Sequence, residues 1–497
     1  MDKKQRGLSS LKQSVKSGEK MLVNRFYLFV GVISILVIGC TSATSGSAST
    51  EAQSSEEISI TIAQSTGEST TEAGESPQTN FPTPTPKIVA TENSTTTIED
   101  TPMVSSTVII SATQTVPSAS IMILKAQISI SQGVTERVNI ASNGLQAFDP
   151  GIPPDDSSPV ISADGRFVAF ASSAADLVNN DTNGFYDVFV HDRQTGETER
   201  VSISSDGAQA EGDSFGPSIS ANGRFVAFQS SNLWVDGQMH TGIFVHDRQT
   251  ADTEFVSMSN KREAANGISH NAVISADGQF VAFVSEATNL VTEDTNDWLD
   301  IFVYDRQADQ IERVNISADG QQSNGWSHHP DISADGRFVA YVSEATNLVL
   351  ENGGTTSIFV YDRLTKEVKR IGDGDRAFIS YDGHWLAVEN HRRSYIYNRQ
   401  TGSIQYLQIP WAILDDISAD GRYLIFTTNG DAQIVFYDRE TGKTQLLSVA
   451  LDGTPSYGFS PSLSADGEAV SFISIMDNLV AGDTNGGFDI FVHERSD

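Results

Sequence analysis

The chain has 497 residues and one cysteine, with 32 basic against 64 acidic side chains and a formal net charge of −32. An excess of this size repels phosphate backbones and anionic headgroups, which excludes nucleic acid as a favoured partner and leaves cations, cationic peptides and neutral glycans. A single thiol also excludes an internal disulfide framework.

Seven basic side chains (Lys3, Lys4, Arg6, Lys12, Lys16, Lys20 and Arg25) precede an apolar run at residues 26–38. That run is short for a membrane-spanning helix and fits the core of a signal peptide. It ends Val37-Ile38-Gly39-Cys40, which resembles a bacterial lipobox, so residues 1–40 are expected to be a signal peptide with Cys40 as the lipidation site. The alternative is an uncleaved single anchor with an incidental cysteine. Either way export is expected, and with Cys40 lipidated the location is the bacterial cell envelope, as a membrane-anchored lipoprotein.

Residues 41–133 read as a disordered linker. Of the 80 residues 41–120, 34 are Ser or Thr, and prolines interrupt residues 81–86. Such a composition buries too little apolar area to offset its ordering entropy. As a flexible coil it spans roughly 50 Å root-mean-square, enough to lift a domain off a membrane. Residues 121–134 are more apolar, and two readings stay open for them: padding of the next domain or an extra edge strand.

From residue 134 onward the sequence repeats. A turn signature of the type ISADGRFVAF recurs seven times, with its turn residue at Asp164, Asn222, Asp277, Asp335, Asp382, Asp420 and Asp466. Asp can bond its own backbone and Gly accepts positive φ, so each Ala-Asp-Gly predicts a tight hairpin between apolar β-runs. A second run of the type DVFVHDRQTG and a third of the type TERVSIS complete six units. The seventh stops at Asp497 without its third run, and residues 135–144, TERVNIASNG, supply it from the other end. The fold class expected is therefore all-β, a seven-bladed β-propeller over residues 134–497 closed by its N-terminal strand, which leaves no open sheet edge.

These units resemble the WD-like β-propeller repeats of the TolB type found in many bacterial envelope proteins. The resemblance covers roughly residues 135–497 and implies a fold rather than a function, because such propellers serve as binding platforms, enzyme scaffolds and enzyme lids. TolB itself has six blades and a separate N-terminal domain, so its own partners are not carried over.

In a four-stranded meander the b–c and d–a connections share one face, where function is expected. Three b–c loops place oxygen ligands at spacing one, three and seven: Asp181, Asn183 and Asp187; Asp294, Asn296 and Asp300; Asp483, Asn485 and Asp489. Hard cations use such sets, so calcium is the cofactor to expect, although the closing bidentate Glu of an EF-hand is absent and Asx turns use the same residues. Blades two and four lack the set, and blades five and six have short loops. The d–a loops are expected to carry Phe215, His270, Trp326, His328, His329, Trp411, Tyr457 and Phe459, residue types suited to stacking on sugars or gripping peptides. A transition-metal site at His270, His328 and His329 has only weak spacing support. His191, His246 and His493 stand where other blades have Tyr and read as structural.

Gly212-Asp-Ser214-Phe-Gly216 matches a nucleophile elbow in letters, but no helix follows it, so Ser214 is not expected to be catalytic. The function expected is a binding platform for a protein, peptide or glycan, as a monomer and without catalysis. The alternative is a glycosidase or lyase that draws two carboxylates from different blades.

Overall fold

In the computed structural model the described residues are 128–147, 158–350, 356–409 and 412–496, all in the compact unit Ile109–Asp497. The expected signal peptide, Cys40, the Ser/Thr-rich tract and Trp411 lie outside the described residues. The described residues form strands and turns only, gathered into seven sheets.

Each sheet is one blade. Blade one consists of strands a to d at Val160–Ile161, Phe167–Ser172, Asp187–Asp192 and Glu197–Arg200, antiparallel throughout. Strand a of the following blades is Ser214–Ile219, Ser269–Ile274, Ser327–Ile332, Arg376–Ile379, Ala412–Ile417 and Phe459–Leu463. The seventh blade takes its outer strand from Val134–Arg137, which runs antiparallel to Asp489–Glu494 with Val134 opposite Glu494 and Arg137 opposite Phe491. The expected closure is thus present.

The a–b turns show why the signature repeats. Ser162 Oγ donates to Asp164 Oδ1 at 2.6 Å and accepts from the Phe167 N–H at 2.9 Å, while Asp164 Oδ1 accepts the Arg166 N–H at 3.1 Å. Gly165 supplies the positive φ of 70° that the turn requires. Neighbouring turns are also hydrogen-bonded to one another: Ala163 donates to the Ala221 carbonyl, Ala221 to Ala276, Ala276 to Ala334 and Ala334 to Tyr381. On the far side Ala419 donates to Ala465, and Ala465 donates back to Ala163 at 3.1 Å, linking blade seven to blade one.

The Asp-Arg turn after strand c staples adjacent blades. Arg248 bonds the Gly223 carbonyl of its own blade, pairs with Glu199 of blade one and lies 4.3 Å over the Phe167 ring of blade one. Arg306 and Arg363 repeat the arrangement over Phe225 and Phe280. Between blades, strands b and c bury both faces, and Phe170–Phe189, Phe228–Phe244, Phe283–Phe302, Tyr341–Phe359 and Phe472–Phe491 stack across them. Leu177, Leu290, Leu348 and Leu479, each at most 2% exposed, anchor the long b–c loops as packing residues.

Two features go beyond the repeat pattern. Ile128–Ile130 adds a fifth strand to blade six, parallel to Lys443–Leu446, so this part of the apolar segment is an extra edge strand. In blade two, strands b and c run on to Val235 and from Gln238, making a long two-stranded arm where the repeats predict a loop.

Candidate functional site: the central channel and its mouth

Strand a is the innermost strand of each blade, and the starts of all seven line one cavity of about 360 Å³. Near its start the strand is bulged in five blades, with register shifts between Phe215 and Ser218, His270 and Val273, His328 and Asp331, Leu414 and Asp416, and Phe459 and Ser462. Bulges re-aim side chains, and here they turn residues of the strand toward the axis. His329 at φ 48° and Ser460 at φ 51° hold left-handed conformations within their bulges.

The aromatic and imidazole residues expected in d–a loops sit instead at this innermost strand. Phe215, His270, His328, His329 and Phe459 belong to strand a itself, and Trp326 and Tyr457 stand just ahead of it. The displacement has a simple cause: the strand begins earlier than the apolar pattern suggests, because a small buried Ser at its first position pairs with a Ser of strand b. Ser269 Oγ and Ser285 Oγ are 2.9 Å apart, as are Ser327 and Ser343. Ser214 makes the same contact with Ser230 and is wholly buried, which removes it as a nucleophile. Trp326 is 43% exposed and meets Trp298, itself 40% exposed, edge to face at 5.9 Å. Tyr457, Phe459 and Phe488 form a second aromatic group.

The histidines are held close to one another. His328 Nδ1 and His329 Nδ1 are 2.7 Å apart, and His270 Nδ1 contacts Asn271 Oδ1 at 2.9 Å. Burial keeps His328 low, and burial with the nearby Arg376 charge drives His329 down to about 3, so both are neutral at neutral pH. Among the described residues no group of three His, Cys, Asp or Glu is disposed to hold a metal. His191, His246 and His493 are structural strand residues, each bonding a Thr hydroxyl of strand d through Nδ1: Thr198, Thr253 and Thr135 at 2.8–2.9 Å.

The three Asp-Thr-Asn loops are each built around an arginine. Arg200 Nη1 lies 3.1 Å from Asp181 and 3.2 Å from Asp187; Arg313 Nη1 lies 3.0 Å from both Asp294 and Asp300; Arg137 Nη1 lies 3.0 Å from Asp483 and 3.8 Å from Asp489. Asn183 and Asn485 turn their amide N–H toward the last Asp of each set, at 2.8 and 3.1 Å, and Asn296 does so at 3.3 Å. The guanidinium thus stands between two carboxylates of each set. Gln209, Gln322 and Gln146 of the d–a connection join the same networks. Burial raises Asp181, Asp187 and Asp294, and pushes Asp489 up to about 6, despite the arginines.

The channel also holds four charged residues that the sequence reading missed: Asp331, Arg376, Asp415 and Asp416. Asp331 and Asp416 tie blades together. Asp331 Oδ1 accepts the Ile332 N–H at 2.9 Å and its Oδ2 the Ile379 N–H of blade five at 2.7 Å; Asp416 accepts from Ile417 at 2.7 Å and from Leu463 of blade seven at 2.9 Å. Burial lifts Asp331 to about 7, Asp415 to about 8 and Asp416 to about 6, since water reaches them only through the channel.

No family profile matches this sequence, and no curated protein does. Among solved structures the chain is similar to Kuenenia stuttgartiensis hydrazine synthase, at 14% identity over 69% of this chain and 97% of that one, with a TM-score of 0.39. It is also similar to TolB from Acinetobacter baumannii, at 17% identity over 67% and 81% with a TM-score of 0.33, and to Porphyromonas gingivalis dipeptidyl peptidase 4, at 14% over 67% and 53% with 0.40. The propeller assignment rests on the seven sheets themselves.

Three residues before the signature serine, the blades carry Pro159, Pro217, Ala272, Pro330, Ala377, Asp415 and Pro461 in order. One residue earlier they carry Ser158, Gly216, Asn271, His329, Arg376, Leu414 and Ser460. Ionisable side chains are therefore confined to blades four to six, and the wall from blade seven to blade three has none.

Proposed function

We propose that the ring is an extracytoplasmic binding platform whose channel mouth holds a peptide, protein or glycan, tethered to the bacterial envelope through Cys40 and the Ser/Thr-rich linker. The observation that carries this reading is the cavity of about 360 Å³, lined by all seven blades, with its ionisable side chains gathered on one half. A cavity of that size with a few convergent polar groups is the usual form of a ligand site. Protein binding is in keeping with the propeller fold. The monomeric state and the lipid anchor are parts of the same proposal.

The second reading is a carbohydrate-active enzyme. It is favoured by one specific observation, that Asp331 of blade four and Asp415 of blade six line one cavity with carboxyl groups protonated near neutrality, as a general acid requires.

One experiment addresses both. The ring is incubated with panels of envelope peptides and polysaccharides, and both retention and product release are followed for the wild type and for Ala272→Phe, which fills the channel. Retention lost on filling, without products, supports the platform. Product release abolished by Asp331→Asn or Asp415→Asn supports the enzyme. Retention unaffected by filling overturns the channel assignment.

A further inference from the structure

Residues 134–497 hold 23 basic and 53 acidic side chains, a net of −30, so carboxylates are abundant wherever an arginine needs one. Most arginines of the ring are ion-paired, as Arg166 is with Asp192 and Arg313 with Asp294. Arg399, Arg439 and Arg495 are instead half-buried and lie 3.5, 3.8 and 3.5 Å over the Phe338, Trp385 and Phe436 rings. Arg376, Arg392 and Arg393 do neither. All three are exposed, and their guanidinium groups make no ion pair and no hydrogen bond among the described residues. Arg393 has only the Tyr406 ring, itself 50% exposed, at 4.7 Å.

These three stand together at one end of blade five. Arg376 opens strand a and lines the channel, while Arg392 and Arg393 belong to the b–c connection between Trp385–Glu389 and Tyr395–Asn398. The connection is fastened to the approach of strand a. Asn390 Nδ2 donates to the Asp373 carbonyl at 3.0 Å, the His391 N–H to Asp375 Oδ2 at 3.1 Å, and the Asp375 N–H to the Glu389 carbonyl at 2.9 Å. Arg376 lies opposite Glu389 in the ladder, yet Glu389 and Asp415 stay outside ion-pair distance of its guanidinium. Tyr406, beneath Arg393, ends the outer strand, so the arginines mark a track from the channel to the rim of the blade.

Access is open along that track. The b–c connection runs to 14 residues in blades one, three and seven, but to 5 in blades five and six, so the wall of the mouth is lowest where the arginines stand.

We infer that Arg376, Arg392 and Arg393 receive the C-terminal carboxylate of a partner peptide, whose last residues enter the channel over blade five. This deepens the platform reading and rests on it. A guanidinium fork matches a carboxylate with two parallel N–H donors, and three neighbouring cations without counter-ions repel one another until an anion arrives. The acidity of the rest of the domain selects the kind of anion. An acidic glycan carries charge along its whole length and would run from blade five onto a surface that repels it. A peptide can end in one carboxylate with a neutral remainder, and a chain end is what a cavity of about 360 Å³ admits.

The test passes a pool of N-acetylated hexapeptides of uncharged residues over the immobilised full chain at physiological salt, with retention read by mass spectrometry. Run beside it are the same pool amidated at the C-terminus, the amidated pool with one internal Glu, and trigalacturonate. The free-acid pool should be enriched about tenfold over the amidated one. Arg376→Gln should cut that enrichment to about a third, Arg376→Lys should keep more of it, and Arg376→Gln with Arg392→Gln and Arg393→Gln should abolish it. The three side chains are exposed, so melting curves of these variants should match the wild type. Equal retention of free acid and amide overturns the carboxylate, as does no retention of any pool. Equal retention of the internal-Glu pool overturns the chain end, and preference for trigalacturonate overturns the peptide. Selection lost on Ala272→Phe but kept in the triple variant overturns the arginine site and leaves the platform standing. Selection kept on Ala272→Phe but lost in the triple variant upholds the arginines and overturns entry into the channel.

Discussion

Gly133 lies directly against Glu494, so close that a Cβ at residue 133 would overlap the Glu494 carbonyl oxygen and the His493 ring. On either side, Ser131 Oγ and Thr135 Oγ1 bond the two ring nitrogens of His493 at 2.9 Å. This is where the chain leaves the edge of blade six and becomes the outer strand of blade seven. Gly133→Ala should therefore loosen the closure, costing about 1–3 kcal/mol and lowering the melting temperature by about 5 °C. The exposed edge of Asp489–Glu494 should show as aggregation on heating. Deletion of residues 41–120 is expected to leave the melting temperature unchanged, and light scattering during the melt checks both.

The arginine at the centre of each Asp-Thr-Asn loop gives a second prediction. Arg200, Asp181 and Asp187 are all nearly inaccessible, so Arg200→Ala leaves two buried carboxylates without their counter-charge. Breaking a buried ion pair from one side costs about 3–5 kcal/mol. The same change vacates the position a cation would take, with Asn183 and the Thr182 backbone still in place. Calcium should then restore part of the lost melting temperature in Arg200→Ala, and chelation should remove it, whereas the wild type should be indifferent to both. A wild-type melting temperature that falls on chelation and recovers with calcium but not magnesium would establish the loops as calcium sites.

These two cases show what the sequence could and could not convey. The seven turns were legible because each needs an Asp or Asn acceptor and a Gly at positive φ, requirements that survive in the letters. The closure was legible because residues 135–144 copy the strand-d pattern of the other units. The Arg-Asp-Asp sets were legible only as ligand spacing, since the guanidinium comes from strand d, 13 residues beyond Asp187 and, for blade seven, from the other end of the ring. Asp415 is marked in the sequence only by the column of Pro and Ala that it interrupts, a signal carried by the strand and not by the loops. The parallel pairing of Ile128–Ile130 on blade six leaves no such trace, because a three-residue apolar run does not specify a partner.

The pH dependence of stability follows from two groups of opposite sign. Asp331, Asp415 and Asp416 have folded values of about 7, 8 and 6, above the ordinary carboxylate value, so the native ring binds more protons than the unfolded chain. Their contribution is complete below about pH 4 and is lost as pH rises through 6 to 8. His246 and His493 are held down to about 4 by burial, so their contribution is present above about pH 6.5 and is lost as pH falls toward 4. Three carboxylates outnumber two histidines, so from about pH 4 to about pH 8.5 these groups together should lower the melting temperature steadily, by several degrees. Between about pH 7.5 and 8.5 the histidines are neutral in both states, so the slope there belongs to the carboxylates. Asp415→Asn should raise the melting temperature at pH 8.5 and leave it nearly unchanged at pH 5.5; an unaltered slope would place the titrating groups elsewhere.

The last prediction concerns the rim. Trp298 comes from the b–c loop of blade three and Trp326 from the approach to strand a of blade four, and they meet edge to face with about two-fifths of each surface open to water. An exposed tryptophan pair at a junction between blades is a large, rigid contact surface that loses little entropy on binding. Any ligand seated at the channel mouth on this side should cover it, which makes tryptophan emission a direct reporter of occupancy. The expected outcome is a blue shift and a change in intensity that saturates with the ligand and disappears in a Trp298→Phe, Trp326→Phe double variant. Trp326→Ala should weaken binding by about tenfold, equivalent to about 1.4 kcal/mol, with melting temperature unchanged because the side chain contributes little to the core. Full binding by Trp326→Ala, with a fluorescence response preserved, would move the contact surface to the Tyr457, Phe459 and Phe488 group on the opposite side of the mouth.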